Sequence, residues 1–190
     1  MRGLPRAYAG QRIGLFGGSF DPAHEGHAHV AATAIKRLGL DQVWWLVTPQ
    51  NPLKPESGPL AQRMASARAQ APGPRHKVCD LETRLGLRFT VETVAALQAR
   101  YPGVRFVFVM GADGMAGFSR WRRWRTLLGL LPVFVVSRPG VRISARFAKP
   151  FAALRRRPAD RALSSAGAPA WAYLPARLHP ISSTVLRRLG

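Results

Sequence analysis

Apolar residues occur in short runs along this chain, and longer amphipathic stretches or glycine- and proline-rich turns separate the runs. Runs of four to six mostly apolar residues are typical of strands buried on both faces of a parallel sheet. Helix formers fill the stretches between the runs, and Gly39 is placed to end the first helix. The pattern predicts strands at 13–16, 43–47, 78–81, 105–110 and 133–136, and helices at 27–38, 60–71 and 90–101. With 190 residues, one α/β domain is expected.

The stretch 13–30 combines the first strand with the most distinctive polar residues of the chain. Gly17 and Gly18 follow the strand, and glycine can take positive φ and let an anion approach the main chain. A helix opens near His24 to His27, and its free N–H groups favour negative charge. The two histidines are three residues apart, so in a helix they lie on one face and can both donate to phosphate oxygens. The stretch predicts a phosphate seat for direct in-line transfer.

Two other interpretations of this stretch compete with the phosphate seat. A Gly-Gly pair after a strand is often a simple turn, but a simple turn leaves both histidines and residues 21–22 without a purpose. The His-x-x-His spacing also occurs in zinc half-sites, which need further ligands. Cys79 is the one cysteine, and the chain has neither a Cys-x-x-Cys pair nor a His-Glu-x-x-His helix. The sequence therefore predicts no protein-bound metal site.

The formal net charge of +20 is compatible with nucleic-acid binding. Arginine supplies 25 of the 29 basic residues, since lysine occurs only at positions 36, 54, 77 and 149. That bias equally fits a GC-rich coding sequence, and an enzyme of phosphorylated substrates gains from positive charge. The longest apolar run, 127–136, is too short to cross a bilayer, and the N-terminus lacks the apolar segment of a signal peptide. With one cysteine, the expected location is the cytoplasm.

The motif at 17–27, GGSFDPAHEGH, resembles the signature of nucleotidyltransferases with an H-x-G-H motif, and bacterial nicotinate-nucleotide adenylyltransferases most of all. A second hallmark of that family resembles ISSTVLRR at 181–188, where Leu186 replaces its isoleucine. The resemblance covers 13–188, with 1–12 and 141–172 unsupported. It implies a doubly wound, Rossmann-like parallel sheet with helices on both faces. It also divides the chain into an N-terminal extension, 1–12, and one nucleotidyltransferase domain, 13–190.

The resemblance implies adenylyl transfer from ATP to nicotinate mononucleotide, giving deamido-NAD and pyrophosphate. Mg²⁺ would be held through the substrate phosphates and water. His24 and His27 would be catalytic, and Thr90 and Trp121 would bind the mononucleotide. The residues expected to bind ATP or its phosphates are Gly17, Gly18, Phe20, Lys54, Gly111, Asp113, Arg138, Ile181, Ser183, Thr184 and Arg187.

Local patterns add further predictions at these positions. Thr90 is expected to cap the helix that begins there, with Thr93 at its third position. Phe118, Trp121 and Trp124 fall on or near one face at helical spacing, which is typical of a core stripe rather than of a nucleic-acid platform. Arg63 is expected at the surface beside a core methionine. Residues 141–172 are expected to be irregular, with a short helix near 150–157.

Several other functions stay open at this point. Within the superfamily they are phosphopantetheine adenylyltransferase and the cytidylyltransferases. An aminoacyl-tRNA synthetase also uses an H-x-G-H motif, but this chain has no room for its other parts. A basic nucleic-acid-binding module is the alternative from another class. The expected partners are ATP and the mononucleotide, without nucleic acid or membrane, and a homo-oligomer is compatible with the sequence. The choice between acid and amide forms of the mononucleotide turns on one carboxylate.

Overall fold

The structure is a computed structural model, and it describes residues 4–50, 57–115, 117–137, 149–151 and 154–175. Nine of the fifteen predicted site residues lie within these ranges. The other six predictions lie outside the described residues: Lys54, Arg138, Ile181, Ser183, Thr184 and Arg187.

The described elements alternate between strand and helix over most of the chain. The strands are β1 Arg12–Gly18, β2 Gln42–Val47, β3 His76–Cys79, β4 Arg105–Gly111, β5 Val133–Ser137, β6 Arg155–Arg156 and β7 Ala170–Pro175. The α-helices are α1 Glu25–Leu38, α2 Leu60–Gln70, α3 Leu81–Leu85, α4 Thr90–Arg100, α5 Ala112–Met115, α6 Trp124–Leu130 and α7 Arg161–Ser165. Short 3-10 helices cover Phe118–Arg120 and Lys149–Phe151.

The described strands form one sheet in the order β3-β2-β1-β4-β5-β7-β6, with every pairing parallel. A separate apolar core covers each face. Helices α4 and α6 supply one core, and helices α1, α2 and α7 supply the other. The strand order reverses at β1, so the crevice at the carboxyl ends of β1 and β4 is a natural ligand site. The predicted doubly wound α/β fold is confirmed, while the division at residue 12 stays a prediction.

The prediction for residues 141–172 is wrong in the described part of that segment. The sequence predicts a short helix near 150–157, but the structure has a 3-10 helix at Lys149–Phe151 and strand β6 at Arg155–Arg156. Strand β7 inserts between β5 and β6, where Ala170, Trp171 and Ala172 are buried. Pairing with β5 and the burial of these residues place β7 in the interior of the sheet.

Two helix predictions also need correction. The N-cap of α4 is Phe89, and Thr90 is the first helical residue; the Phe89 N–H donates to the Glu92 carboxylate at 3.3 Å. The aromatic stripe does not lie on one helix, because an extended Trp121 and a left-handed Arg123 interrupt it. Its interpretation as core is confirmed at Phe118, which is fully buried.

Candidate active site

The turn after β1 is built differently from the expectation based on its glycines. Gly17 and Gly18 end the strand without positive φ, and Phe20 takes the left-handed conformation, with φ 48°. This backbone is uncommon for a residue with a side chain. A Cβ on Gly18 would stand 3.1 to 3.2 Å from the Phe20 ring, so glycine makes room for that ring. The buried Phe20 ring packs edge-on against Phe16 and His27, and this packing fixes the turn.

The two histidines form the beginning of α1. His24 is the N-cap, and its Nδ1 accepts a hydrogen bond from the Gly26 N–H at 3.1 Å. The His27 Nδ1 accepts from the His24 N–H at 3.2 Å. The ring centroids lie 3.9 Å apart, so the pair is in contact, although only His27 is helical. An imidazole whose Nδ1 accepts a hydrogen bond carries its proton on Nε2, so both rings are set as Nε2–H donors.

A cavity of about 140 Å³ adjoins this helix start. Gly17, Gly18 and His27 line one side of it, and Gly111 and Asp113 line another. Gly111 ends β4 and the exposed Asp113 lies in the first turn of α5, so the fold brings the predicted Gly-x-Asp turn to the histidines.

A larger cavity of about 300 Å³ lies on the other side of Gly17 and Gly18. Thr90 and Trp121 both line it, although they are 31 positions apart in the chain. The Trp121 ring packs at right angles to Phe108, with centroids 5.8 Å apart, and also lines the smaller cavity. Seven of the nine described site predictions therefore line two adjoining cavities. The other two lie behind them: the buried His24 contacts His27, and Phe20 contributes by packing.

Glu82 is a cavity-lining residue that the sequence interpretation missed. Its side chain is only 3% exposed, and its Oε1 accepts a hydrogen bond from the Thr93 hydroxyl at 3.1 Å. Burial raises the pKa of Glu82 to about 7, and the hydrogen bond from Thr93 opposes that shift. The same hydroxyl lies 3.4 Å from the carbonyl oxygen of Phe89, the N-cap of α4. Glu82 thus supports the start of α4, and no local pattern in the sequence marked it.

Three exposed arginines stand around the mouth of the larger cavity: Arg88, Arg120 and Arg122. The guanidinium of Arg122 lies over the Phe89 ring, 4.7 Å from its centroid. The one acidic side chain among the described residues that line this cavity is the buried Glu82, so the three exposed guanidinium groups dominate the charge at the mouth. Such a mouth favours an anionic ligand.

Arg63 contradicts the prediction of a surface arginine. It projects from α2 toward the strand ends, is 2% exposed, and donates only to main-chain carbonyl oxygens in the hydrogen bonds described. Met64 beside it is buried in the core, as predicted. The sequence offers no signal for Arg63, because its acceptors come from three separate segments of the chain.

Known proteins are similar to this chain over nearly its whole length. Residues 15–189 match the cytidylyltransferase-like family. The chain is 54% identical over 182 residues to a probable nicotinate-nucleotide adenylyltransferase of Caulobacter sp. strain K31, covering 93% of this chain and 96% of that protein. A protein of the same description from Roseobacter denitrificans is 50% identical over 194 residues, covering 100% of this chain and 98% of the relative.

The chain belongs to the nicotinate-nucleotide adenylyltransferase family. This adenylyltransferase is therefore a nucleotidyltransferase of NAD biosynthesis, and the family resemblance drawn from the two motifs is confirmed.

The fold has a counterpart among solved structures. The nicotinic acid mononucleotide adenylyltransferase of Plasmodium falciparum, complexed with NaAD, superposes on the adenylyltransferase with a TM-score of 0.70. Its sequence identity is 17%, with 94% of this chain and 83% of that chain covered, so the likeness bears on the fold. Within the described part of the adenylyltransferase, no helix is long and apolar enough to cross a membrane.

Proposed function

We propose that this adenylyltransferase joins the adenylyl group of ATP to nicotinate mononucleotide, producing deamido-NAD and pyrophosphate. The observation that carries the proposal is the pair of cavities that meet at Gly17, Gly18 and Trp121. The α-phosphate of ATP would bind at the smaller cavity, which His27, Gly111 and Asp113 line, and the mononucleotide would occupy the larger cavity, which Thr90 lines. The turn at residues 17–20, named the phosphate turn for its proposed role, lies between these cavities. Two substrates placed on either side of this turn are suited to direct transfer between them.

In the proposed reaction, a 5′-phosphate oxygen of the mononucleotide attacks the α-phosphorus of ATP. A new P–O bond forms, the bond from the α-phosphorus to the oxygen bridging to the β-phosphorus breaks, and pyrophosphate leaves with that electron pair. His24 and His27 would donate through Nε2–H to the oxygens on which negative charge accumulates. The proposal is supported by the main-chain hydrogen bonds to both Nδ1 atoms, because they direct the ring protons to Nε2.

The remaining site residues complete the proposal. Asp113 would accept hydrogen bonds from the ribose or lie near the phosphates, and Phe20 would shape the turn. Among the described residues, no group of three histidine, cysteine, aspartate or glutamate side chains lies close enough together to hold a metal ion. In the proposal Mg²⁺ would enter with ATP, held by triphosphate oxygens and water. Phosphates would be bound by Lys54, Arg138, Ser183, Thr184 and Arg187, with Ile181 in the same motif.

The pyridine end of the mononucleotide would lie between Trp121 and the start of α4. The N–H groups of a helix start suit a carboxylate. Arg88, Arg120 and Arg122 add positive charge at the same mouth, which supports nicotinate over nicotinamide. The predicted cytoplasmic location remains a proposal.

Pyrophosphate release with ATP and Mg²⁺ tests this function. Nicotinate mononucleotide, nicotinamide mononucleotide and phosphopantetheine are offered separately, and turnover is expected with the first and little with the others. Turnover with phosphopantetheine alone would keep nucleotidyl transfer but contradict the roles of Thr90 and Trp121. Absence of turnover with all three would contradict the proposed reaction.

A further inference from the structure

The buried guanidinium of Arg63 binds four carbonyl oxygens at the back of the phosphate turn. Its Nη1 donates to Ser19 O at 2.9 Å and to Thr48 O at 2.7 Å. Its Nη2 donates to Pro49 O at 2.7 Å, and its Nε donates to Gly58 O at 2.7 Å. All three guanidinium nitrogens are therefore engaged, in a planar arrangement that arginine can supply and lysine cannot.

These carbonyl groups belong to the segments that shape the larger cavity. Ser19 follows β1 in the phosphate turn, and Thr48 follows β2; both line that cavity. Their strands are adjacent, and the Thr48 N–H donates to Gly18 O at 3.1 Å. The Arg63 guanidinium adds a further connection between the same strand ends, and Arg63 itself lines neither cavity. Ser66, one turn further along α2, extends it, because its hydroxyl accepts from the Ala23 N–H at 3.1 Å.

The burial of this cation points to a specific role. Desolvation lowers the pKa of Arg63, and the negative charge of Asp21 opposes that shift. Asp21 also accepts a hydrogen bond from the Gly58 N–H at 3.2 Å. The carboxylate therefore binds the N–H of Gly58, and the guanidinium binds the carbonyl oxygen of the same residue. A buried charge is costly unless its hydrogen bonds are satisfied, and in this site main-chain oxygens satisfy them.

We propose that Arg63 is a positioning residue for adenylyl transfer, and that its guanidinium sets the spacing between the Gly17–Phe20 turn and the Thr48–Gln50 segment. The inference rests on the proposed function. Arg63 is absent from the lining of both cavities, so it is not expected to contact substrate. It acts by holding Gly18 and Ser19 at the distance from β2 that an in-line geometry between the two cavities requires. Displacement of such groups by about 1 Å can lower turnover about 10²-fold.

The test compares Arg63→Lys and Arg63→Ala with Arg68→Ala, an exposed arginine on the same helix and outside both cavities. For both Arg63 variants, kcat per folded molecule should fall about 10²-fold, with smaller changes in the KM values of ATP and the mononucleotide. Added guanidinium ion, kept well below denaturing concentrations, should restore part of the kcat of Arg63→Ala. Arg68→Ala should resemble the parent. Parent-like kcat in Arg63→Lys, or losses that merely match the unfolded fraction, would overturn the proposal.

Hydrogen exchange gives a readout that does not depend on turnover. In Arg63→Lys, the amides of residues 18–20, 48 and 50 should exchange faster than in the parent, while those of β4 should be unchanged. Unchanged exchange in both segments would overturn the positioning role. If the parent showed no adenylyl transfer but these segments loosened in the variant, the proposed function would fail while the structural connection through Arg63 would stand.

Discussion

The back of the phosphate turn and the mouth of the larger cavity both depend on arginine, in opposite ways. At the back, the guanidinium of Arg63 is 2% exposed and donates to neutral carbonyl oxygens of the chain. At the mouth, Arg88, Arg120 and Arg122 are exposed beside a cavity. In the first region the charge connects segments of the same chain. In the second region it faces solvent and the proposed ligand. Arginines that contribute equally to the net charge of +20 therefore have unrelated roles, and their location in the fold distinguishes these roles.

The two regions should respond differently to mutation. Changes at the turn should lower kcat, because they alter groups that meet the transition state or hold those groups in place. Changes at the mouth should alter KM and the choice between substrates, because exposed charges act through a field that solvent screens.

The largest effect is expected for His27→Ala. Loss of an Nε2–H donor to the transition state should lower kcat about 10²- to 10³-fold with little change in the KM of the mononucleotide. Steady-state kinetics measure this, with His29→Ala on the same helix as the matched control, since His29 lines neither cavity. A kcat close to that of the parent would remove His27 from the mechanism.

An intermediate effect is expected for Glu82→Gln, and it depends on pH. The folded-state pKa is about 7 against an ordinary value of 4.5, so below about pH 4.5 the carboxyl is neutral in both folded and unfolded chains. As pH rises from there to about 7, the unfolded chain loses the proton first, and the parent loses stability. Glutamine does not titrate, so the stability of the variant relative to the parent should increase through this window by at most about 1.4 kcal/mol per pH unit.

Urea unfolding of both proteins at about pH 5 and about pH 8 measures that difference. Taking the difference between parent and variant removes the contribution of other titrating groups that the two proteins share. A difference that stays constant with pH would mean that Glu82 titrates normally in the folded protein.

The smallest effect is expected for Arg122→Ala. Removing one exposed guanidinium from the mouth should raise the KM of nicotinate mononucleotide a few-fold at low salt, and added salt should diminish the effect. The KM of nicotinamide mononucleotide, in which a neutral amide replaces the carboxylate, should change less. Arg125→Ala is the control, because Arg125 is exposed on α6 but does not line the cavity. Equal changes for both mononucleotides would argue against a role in selecting the acid.

Local patterns in the sequence determine much of this protein. Apolar runs mark strands β1, β2, β4 and β5, and Gly39 ends α1 in the left-handed conformation, with φ 61°, as its position predicts. The strand predicted at 78–81 is instead β3 at His76–Cys79, and Leu81 begins α3. His24 and His27 also come together at the start of α1, with ring centroids 3.9 Å apart, because the start of a helix is set within a few residues. Strand β7 is not predicted, although Trp171 and Tyr173 are residue types that strands favour. Pairing with β5 fixes its place in the sheet.

Tertiary structure alone decided the features that depend on distant segments. Arg63 is buried because carbonyl groups from residues 19, 48, 49 and 58 converge on it, and no window of the sequence contains them together. The positive φ of Phe20 follows from packing against Phe16, Trp45 and His27, and the raised pKa of Glu82 follows from burial beside α4. Residue type and spacing set which groups are available. Long-range packing sets their burial and orientation, because desolvation and hydrogen-bond geometry depend on neighbours that only the folded chain provides.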